Sequence, residues 1–305
     1  MKTINIGNSG IQASEISLGC MRIANSTVQE VRTLIDVALE EGINFFDHAD
    51  IYAGGKAEEI FAKALETTPS LREKIIIQTK CGIRQGYYDF SKEHILASVD
   101  KSLKRLNTEY IDVLLLHRPD ALMEPEEVAE AFNELQNTGK VRHFGVSNQN
   151  PMQIELLSRY LDQKIIINQL QFSITNTGMI DSGINVNMQV NGSIDRDGSI
   201  LDYCRLKDIT IQAWSPFQYG FFEGVFLDND KFPELNKKID ELAETKDVTN
   251  SAIAIAWILR HPAKIQPIVG TTNIKRLKEI CRASEIELTR QEWYDIYKAA
   301  GNPLP

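Results

Sequence analysis

Short apolar runs of strand length alternate along the chain with amphipathic stretches whose apolar positions recur at the helical period. Eight runs are predicted as strands: Glu15–Leu18, Asn44–Asp47, Ile75–Thr79, Val113–Leu116, Val141–Val146, Ile165–Gln169, Thr210–Trp214 and Gln266–Val269. Helices are predicted between them at Val28–Glu41, Ala57–Thr67, Lys92–Leu106, Pro125–Thr138, Pro151–Tyr160, Ser199–Leu206 and Ile274–Ser284. Because strands that alternate with helices form parallel βαβ units, this order predicts an α/β fold, a (β/α)8 TIM barrel.

Both ends of the chain carry elements beyond the eight βα units. Thr3–Ile6 and Ile11–Ala13, joined by a turn at Asn8–Gly10, predict a hairpin that would cover the barrel floor. Further helices of the outer ring are predicted at Phe232–Thr245, Ser251–Arg260 and Arg290–Ala300. Helix-start signals at Ser91 and at Pro125 support the helical interpretation.

One segment, Asn176–Gly198, lacks a sustained periodic face and is rich in Asn, Gly, Asp and Ser. It predicts a long loop after the sixth strand, of a kind that usually covers a site or moves. No internal repeat or low-complexity linker accompanies it, and 305 residues is an ordinary length for one barrel. Residues 1–305 are therefore predicted to form a single domain.

The composition restricts the partners. A net charge of −9, without a basic run, argues against a nucleic-acid or anionic-membrane surface. Neither a secretory signal at the N-terminus nor an uninterrupted apolar run of about 18 residues is recognisable, which predicts a cytoplasmic protein. The cysteines, Cys20, Cys81, Cys204 and Cys281, are too scattered for a zinc site or a dithiol motif and are expected to be free thiols.

Ionisable side chains follow three neighbouring predicted strands. Asp47 ends the second, Lys80 follows the third, His117 follows the fourth, and Tyr52 lies just beyond Asp47. The carboxyl ends of barrel strands open on one face, so these groups are expected to converge. A tyrosine beside a lysine can give a proton to a carbonyl oxygen, and a carboxylate can keep that lysine charged in a dry pocket. His117 would orient the substrate oxygen.

Other interpretations of these residues remain open. Asp47 is also a residue type that commonly caps a loop or a helix after a strand. His48 and His117 lack a third ligand at metal-binding spacing, so no metal site is predicted. Lys80 could form a Schiff base in a lyase, since barrel aldolases place lysines at strand ends. No Gly-x-Gly-x-x-Gly follows a strand, which disfavours a doubly wound nucleotide fold.

Five segments at the ends of predicted strands resemble, in order, the signatures of the aldo-keto reductase family. They are Phe45–Tyr52, Thr79–Gly82, Leu114–Pro119, Gly145–Asn148 and Gly270–Thr272. The resemblance extends from the N-terminal hairpin to the final helices. The first two segments are most similar to those of a bacterial, largely uncharacterised subgroup.

The resemblance implies an NAD(P)H-dependent oxidoreductase that reduces aldehydes or ketones to alcohols. Tyr52 would be the general acid, Lys80 and Asp47 would tune it, and His117 would orient the substrate. The nicotinamide carboxamide would be held by Ser147, Asn148 and Gln169, and the ring would stack on Trp214.

These cofactor residues can also be judged by their own chemistry. Ser147 and Asn148 offer donors and an acceptor at a strand end, but the pair is also an ordinary helix-start signal. Trp214 offers a flat apolar face, but by its residue type alone it would more often belong to the core. Gln169 would need partners if it were buried, and Ser215 begins a turn that could direct the chain toward the pyrophosphate.

The segment after the eighth strand is a candidate phosphate site. Gly270, Thr271 and Thr272 open a helix, where free amides and the helix dipole favour phosphate, and Arg276 could pair with an adenosine 2′-phosphate. Many family members have a lysine where this chain has Gly270 and an asparagine where it has Ile280. NADP(H) is the preferred cofactor and NAD(H) the alternative.

Two further functions stay open on the sequence: a nucleotide-bound regulatory or sensor subunit with little turnover, and the lysine-dependent lyase. The substrate pocket is expected to use the loops Ile83–Phe90, Arg118–Met123, Asn176–Gly198 and Phe217–Phe226. Their aromatic residues, Tyr87, Tyr88, Phe90, Phe217, Tyr219, Phe221 and Phe222, suggest an apolar lining for a small carbonyl substrate. The resemblance implies a monomer.

Overall fold

A closed barrel of parallel strands forms the centre of the computed structural model, which describes residues 1–65 and 69–304. Strands β1 to β8 are Ser17–Gly19, Phe45–Asp47, Ile76–Cys81, Ile111–Leu116, Val141–Ser147, Ile165–Gln171, Thr210–Trp214 and Gln266–Val269. They follow one another around the barrel in chain order, and β8 pairs with β1 to close it. The predicted TIM barrel is confirmed, with β3 and β6 each running two residues beyond the predicted end.

Helices surround the barrel. Helices α1 to α12 of the described residues are Val28–Glu40, Lys56–Leu65, Pro69–Arg72, Lys92–Leu106, Pro125–Asn137, Pro151–Ser158, Gly178–Ile184, Ile200–Leu206, Pro233–Thr245, Asn250–Leu259, Ile274–Cys281 and Arg290–Ala299. The predicted start at Ser91 is confirmed, because its hydroxyl accepts from the His94 N–H at 3.3 Å. The predicted end of the second helix at Thr67 lies outside the described residues. None of the described helices has the length and apolarity to span a membrane.

The N-terminal hairpin covers the barrel floor, as predicted. Thr3–Asn5 pairs with Gln12–Ser14, and Ile6 between them is fully buried in an apolar cluster with side chains of the barrel strands. The Gly7 amide donates to Thr210 Oγ1 at 2.8 Å. A Cβ on Gly7 would lie 2.4 Å from Ile166, so only glycine allows this approach, and its φ of +53° is also one that glycine adopts freely.

The barrel interior changes from apolar to polar between floor and mouth. Side chains alternate across a strand, and in β3 the inward positions are Ile76, Gln78 and Lys80. Ile76 packs on the apolar floor cluster, whereas the next two inward side chains hydrogen-bond across the barrel. The carboxyl end of the barrel is therefore a buried polar layer.

The segment Asn176–Gly198 is not the structureless loop that the sequence predicts. It contains α7 and a 3-10 turn at Asn191–Ser193. Met179 and Ile180 of α7 are buried in the core, and the Tyr297 hydroxyl donates to Asp181 Oδ1 at 2.6 Å. The local sequence of this short, glycine-containing helix carries little helical signal, and contacts with distant parts of the chain stabilise it instead.

Candidate active site

The four predicted catalytic side chains converge at the carboxyl end of the barrel. Asp47 and Lys80 lie on β2 and β3, His117 directly follows β4, and Tyr52 begins a 3-10 turn after β2. A cavity of about 610 Å³ opens above them and is lined by Asp47, Tyr52 and His117. The order of parallel strands around the barrel produces this convergence, because β2, β3 and β4 are neighbours.

Lys80 is the centre of the cluster and is completely buried. Its Nζ lies 2.8 Å from Asp47 Oδ1 and donates to the His48 carbonyl at 2.6 Å and to the Tyr52 hydroxyl at 3.1 Å. Burial alone would lower the pKa of Lys80, but the Asp47 charge and Tyr52 outweigh it, and the pKa lies above its ordinary value. A charged ammonium with these acceptors is a poor nucleophile, which argues against the Schiff-base interpretation.

Tyr52 remains a phenol in this site at neutral pH. Burial raises its pKa, the nearby Lys80 charge lowers it, and the net shift is upward. The sequence-based expectation considered only the lysine, whose effect has the expected direction but is the smaller one. Tyr52 therefore holds a proton beside a cation that can stabilise the phenolate once that proton has left.

His117 lines the same cavity beside Tyr52. Its ring lies 6.1 Å from the Tyr52 ring, in an edge arrangement. Burial and the charge of Lys80 lower the pKa of His117 well below its ordinary value, so the imidazole is neutral. A neutral imidazole can orient a carbonyl oxygen without adding a buried charge. Among the described residues, no group of three or more His, Cys, Asp or Glu side chains is placed to hold a metal ion.

The residues expected to hold a carboxamide are neighbours across β5, β6 and β7. The Ser147 hydroxyl donates to the Gln169 carbonyl at 3.0 Å, and Asn148 Nδ2 donates to the Ser147 hydroxyl at 2.7 Å. The Trp214 indole donates to Asn148 Oδ1 at 3.1 Å. Gln169 Nε2 donates to Asp47 and to Gln212, so the side-chain oxygen Oε1 of Gln169 is the atom left for an incoming amide donor.

The same cavity continues toward the start of α11. Ser215, Gly270, Thr271 and Arg276 line it, whereas Thr272 is exposed and lies outside the lining. Asn273 caps α11, since its side chain accepts from the Arg276 N–H at 3.0 Å. One continuous cavity that is lined by a flat indole and by the start of a helix fits an extended dinucleotide.

The aromatic lining differs from the sequence-based expectation. Phe217 and Phe222 line the cavity, and Phe222 stacks on Trp214 with 5.8 Å between ring centroids. Tyr87 and Tyr88 are instead exposed outside it. Phe90 is fully buried against Gly82, Tyr219 packs on Phe232, and Phe221 is exposed beside Trp214. Aromatic content therefore predicted correctly that the Phe217–Phe226 loop lines the cavity, but the same prediction was wrong for the aromatic residues of Ile83–Phe90.

Several lining residues were not predicted from the sequence. Arg22 follows β1, and Asp228, Asn250 and Glu279 approach from the outer loops and helices. Arg22 could have been proposed from its position after a barrel strand. Asp228, Asn250 and Glu279 lie on outer loops and helices, and the sequence does not show that these approach the carboxyl end of the barrel.

Comparison with known proteins identifies the family. The family model described as the Aldo/keto reductase family matches residues 15–300. The chain is 38% identical to the uncharacterised oxidoreductase YcsN of Bacillus subtilis, with 97% of each chain covered. It is 34% identical to a 6-dehydroglucose reductase of Agrobacterium fabrum, with 95% of each covered.

A solved structure agrees with these matches. The holo form of aldo-keto reductase AKR11C1 from Bacillus halodurans superposes with a TM-score of 0.76 at 26% identity, over 100% of this chain and 98% of that one. The expected family, fold and enzyme class are confirmed. The chain belongs to the aldo/keto reductase family and is an oxidoreductase of carbonyl compounds.

Proposed function

We propose that this enzyme reduces an aldehyde or a ketone to an alcohol, with NADPH preferred and with Tyr52 as the proton donor. The observation that carries the proposal is the contact of Lys80 Nζ with both Asp47 and the Tyr52 hydroxyl, beside an open cavity. The reduced nicotinamide, when bound, supplies the hydride. Tyr52 gives its proton to the carbonyl oxygen, and its phenolate is stabilised by Lys80 at 3.1 Å.

His117 and the cavity wall position the two reactants. The neutral imidazole orients the carbonyl oxygen toward the Tyr52 hydroxyl. Ser147, Asn148 and Gln169 Oε1 hold the carboxamide, and the Trp214 face supports the ring. Holding both reactants in place can supply on the order of 7–11 kcal/mol of the barrier.

The far end of the cavity would hold the phosphates of the cofactor. Ser215, Gly270 and Thr271 line this region, and Arg276 is the cation placed to pair with a 2′-phosphate. Glu279 lines the same end, and its carboxylate would repel the 2′-phosphate. The preference for NADPH therefore depends on the opposite charge of Arg276.

Substitution of Tyr52 tests the chemistry. In Tyr52→Phe we expect turnover to fall by roughly 10²–10⁴-fold or more, because the general acid is gone, while NADPH still binds. Binding is followed by tryptophan quenching and by fluorescence of the bound reduced nicotinamide. Tyr88→Phe, at an exposed tyrosine outside the cavity, should leave both quantities unchanged. Steady-state reduction retained in Tyr52→Phe would refute the proposed acid.

Substitution of Arg276 tests the cofactor preference. Loss of a charge-assisted contact should weaken NADPH binding in Arg276→Gln by about tenfold or more and leave NADH binding unchanged. Lys275→Gln removes the same charge from the neighbouring, exposed position of α11 and should change both affinities little. An equal loss for both nucleotides would show that Arg276 does not contact the 2′-phosphate.

The similarity to a 6-dehydroglucose reductase makes 6-dehydroglucose a compound to test first. We also propose that residues 1–305 act as one domain and as a monomer, since the complete site lies on one barrel. The buried free cysteines fit a reducing compartment and support the cytoplasm. Size-exclusion chromatography with light scattering would measure the oligomeric state.

A further inference from the structure

A buried carboxylate receives unusually many donors at the centre of this site. Besides Lys80, Gln78 Nε2 donates to Asp47 Oδ1 at 2.5 Å and Gln169 Nε2 donates to the same oxygen at 3.0 Å. Both amide nitrogens also donate to Gln212 Oε1, at 2.8 Å and 3.0 Å. Each of these two amides thus uses one proton on Asp47 and the other on Gln212.

The hydrogen bonds continue across the barrel toward the floor. Gln212 Nε2 donates to Gln266 Oε1 at 2.8 Å, and Gln266 Nε2 donates to the Ser14 carbonyl at 2.7 Å. Gln78, Gln212 and Gln266 are completely buried, and Gln169 is nearly so. We call these four residues the glutamine chain.

The glutamine chain has only one consistent orientation. The Ser14 carbonyl can only accept, so Gln266 presents its nitrogen to Ser14 and its oxygen to Gln212. Gln212 must then present its oxygen to the two remaining amides. Those amides in turn present their nitrogens to Asp47.

The orientation has a measurable cost at Gln78. Its Oε1 is buried and finds no donor among the described residues. Rotating the amide would not relieve this cost, because the oxygen would then face both the Asp47 carboxylate and Gln212 Oε1. An unpaired buried acceptor destabilises the folded protein. The hydrogen bond that Gln78 Nε2 donates to Asp47 must therefore stabilise the protein by more than the unpaired Oε1 costs.

We propose that Gln78 and Gln212 are positioning residues that hold Asp47 as a carboxylate beneath Lys80, and thereby keep the lysine ready to stabilise the Tyr52 phenolate. Four contacts from donors leave Asp47 no acceptor for a proton of its own. Gln78 contributes a donor directly, and Gln212 fixes the direction of that donor. The proposal rests on the proposed role of Tyr52.

The test compares Gln78→Met and Gln212→Met with a matched control. Methionine keeps the length of glutamine and removes its donors. The control is Thr79→Val, which lies between Gln78 and Lys80 on β3, faces outward, and loses a buried hydrogen bond of 2.6 Å to Glu58 instead. We expect kcat to fall about tenfold in both methionine variants, with unchanged NADPH affinity, since a charge-assisted hydrogen bond is lost.

The comparison of kcat with stability distinguishes positioning from packing. Thr79→Val should lower the free energy of unfolding and leave kcat unchanged, whereas Gln78→Met and Gln212→Met should lower kcat with an unchanged KM for NADPH. Methionine variants that are only destabilised, with wild-type kcat, would overturn the proposal.

A measurement on the wild-type chain covers the case in which a variant does not fold. The side-chain amide protons of Gln78 and Gln169, followed by NMR, should exchange slowly with solvent, because each amide uses both of its protons in buried hydrogen bonds to Asp47 and Gln212. Rapid exchange of these protons would refute the proposed contact with Asp47. If instead Tyr52→Phe kept its turnover, the proposed chemistry would fail while the amide protons still reported the contact with Asp47, so the two failures are distinguishable.

Discussion

Replacing His48 should make the protein more stable in mild acid. His48, which follows β2, is completely buried, and neither ring nitrogen finds a partner among the described residues. Its ring packs edge-on against Phe61 at 4.5 Å between centroids. Burial, aided by the charge of Lys80, lowers the pKa of His48 to about 3.

Proton linkage converts this shift into a stability change. The unfolded chain protonates His48 near 6.5, whereas the folded protein resists protonation until about 3. The unfolded state therefore binds more protons in this window, and the stability that is present above pH 6.5 is lost as the pH falls toward 3. With these two values, His48 alone should cost about 2 kcal/mol of unfolding free energy between pH 7 and pH 5.

The assay is urea unfolding of the wild type, His48→Leu and His48→Gln at pH 7, 6 and 5. Both variants lack the His48 imidazole. Their free energy of unfolding should therefore fall by about 2 kcal/mol less than that of the wild type between pH 7 and pH 5. Asp50 and His261, whose pKa values burial moves to about 6 and about 4, also titrate, but their contributions cancel in the difference.

The two variants separate charge from polarity. Leucine also removes two unpaired polar atoms, so at pH 7 it should be more stable than glutamine by about 1–3 kcal/mol. Activity should persist in both, because Lys80 bonds the backbone carbonyl of this residue and not its ring. Parallel stability curves for wild type and variants between pH 7 and pH 5 would refute the reasoning.

Two further predictions concern the fold around the site. Gly82→Ala should destabilise the protein by about 3 kcal/mol or more, since φ is +107° and the new Cβ would lie 2.2 Å from the Phe90 ring. Gly86→Ala, with a similar φ and open space around it, should cost only about 1 kcal/mol, and equal losses in urea unfolding would exclude the clash. Tyr297→Phe should cost about 1–3 kcal/mol, because the carboxylate of Asp181 on α7 keeps its hydrogen bond from Thr177 but loses the one from Tyr297. Unchanged hydrogen exchange in α7 of that variant would contradict this role.

The barrel could be predicted because its apolar runs are regular. β7 and β8 have the predicted boundaries, and most helices end within two residues of the predicted ends. β3 and β6 continue past the prediction, into Lys80–Cys81 and Leu170–Gln171, because strand pairing in the barrel does not require apolar residues. The helix α7 escaped prediction for the opposite reason, since its stability comes from distant contacts such as Tyr297.

The ionisable residues of the site could be predicted from the sequence, whereas the buried glutamines beneath them could not. Asp47, Lys80 and His117 stand at strand ends, where a polar side chain is conspicuous. Gln78 and Gln212 lie inside strands, where alternation of polar and apolar residues usually means a solvent-facing side. In this barrel the polar side of those strands faces inward, and only the closed topology shows it.

The buried site is electrically balanced before the reaction and unbalanced after it. Asp47 and Lys80 neutralise each other, while Tyr52 and His117 are neutral, so the resting site carries no net charge. When Tyr52 gives up its proton, a phenolate remains in the same dry environment that raised its pKa. Lys80 stabilises that charge only as it forms. An interaction of this kind lowers the barrier, because it stabilises the transition state more than the ground state. Burial makes the resting phenol a weak acid, and the fixed lysine reduces this penalty as the carbonyl oxygen gains charge and accepts the proton.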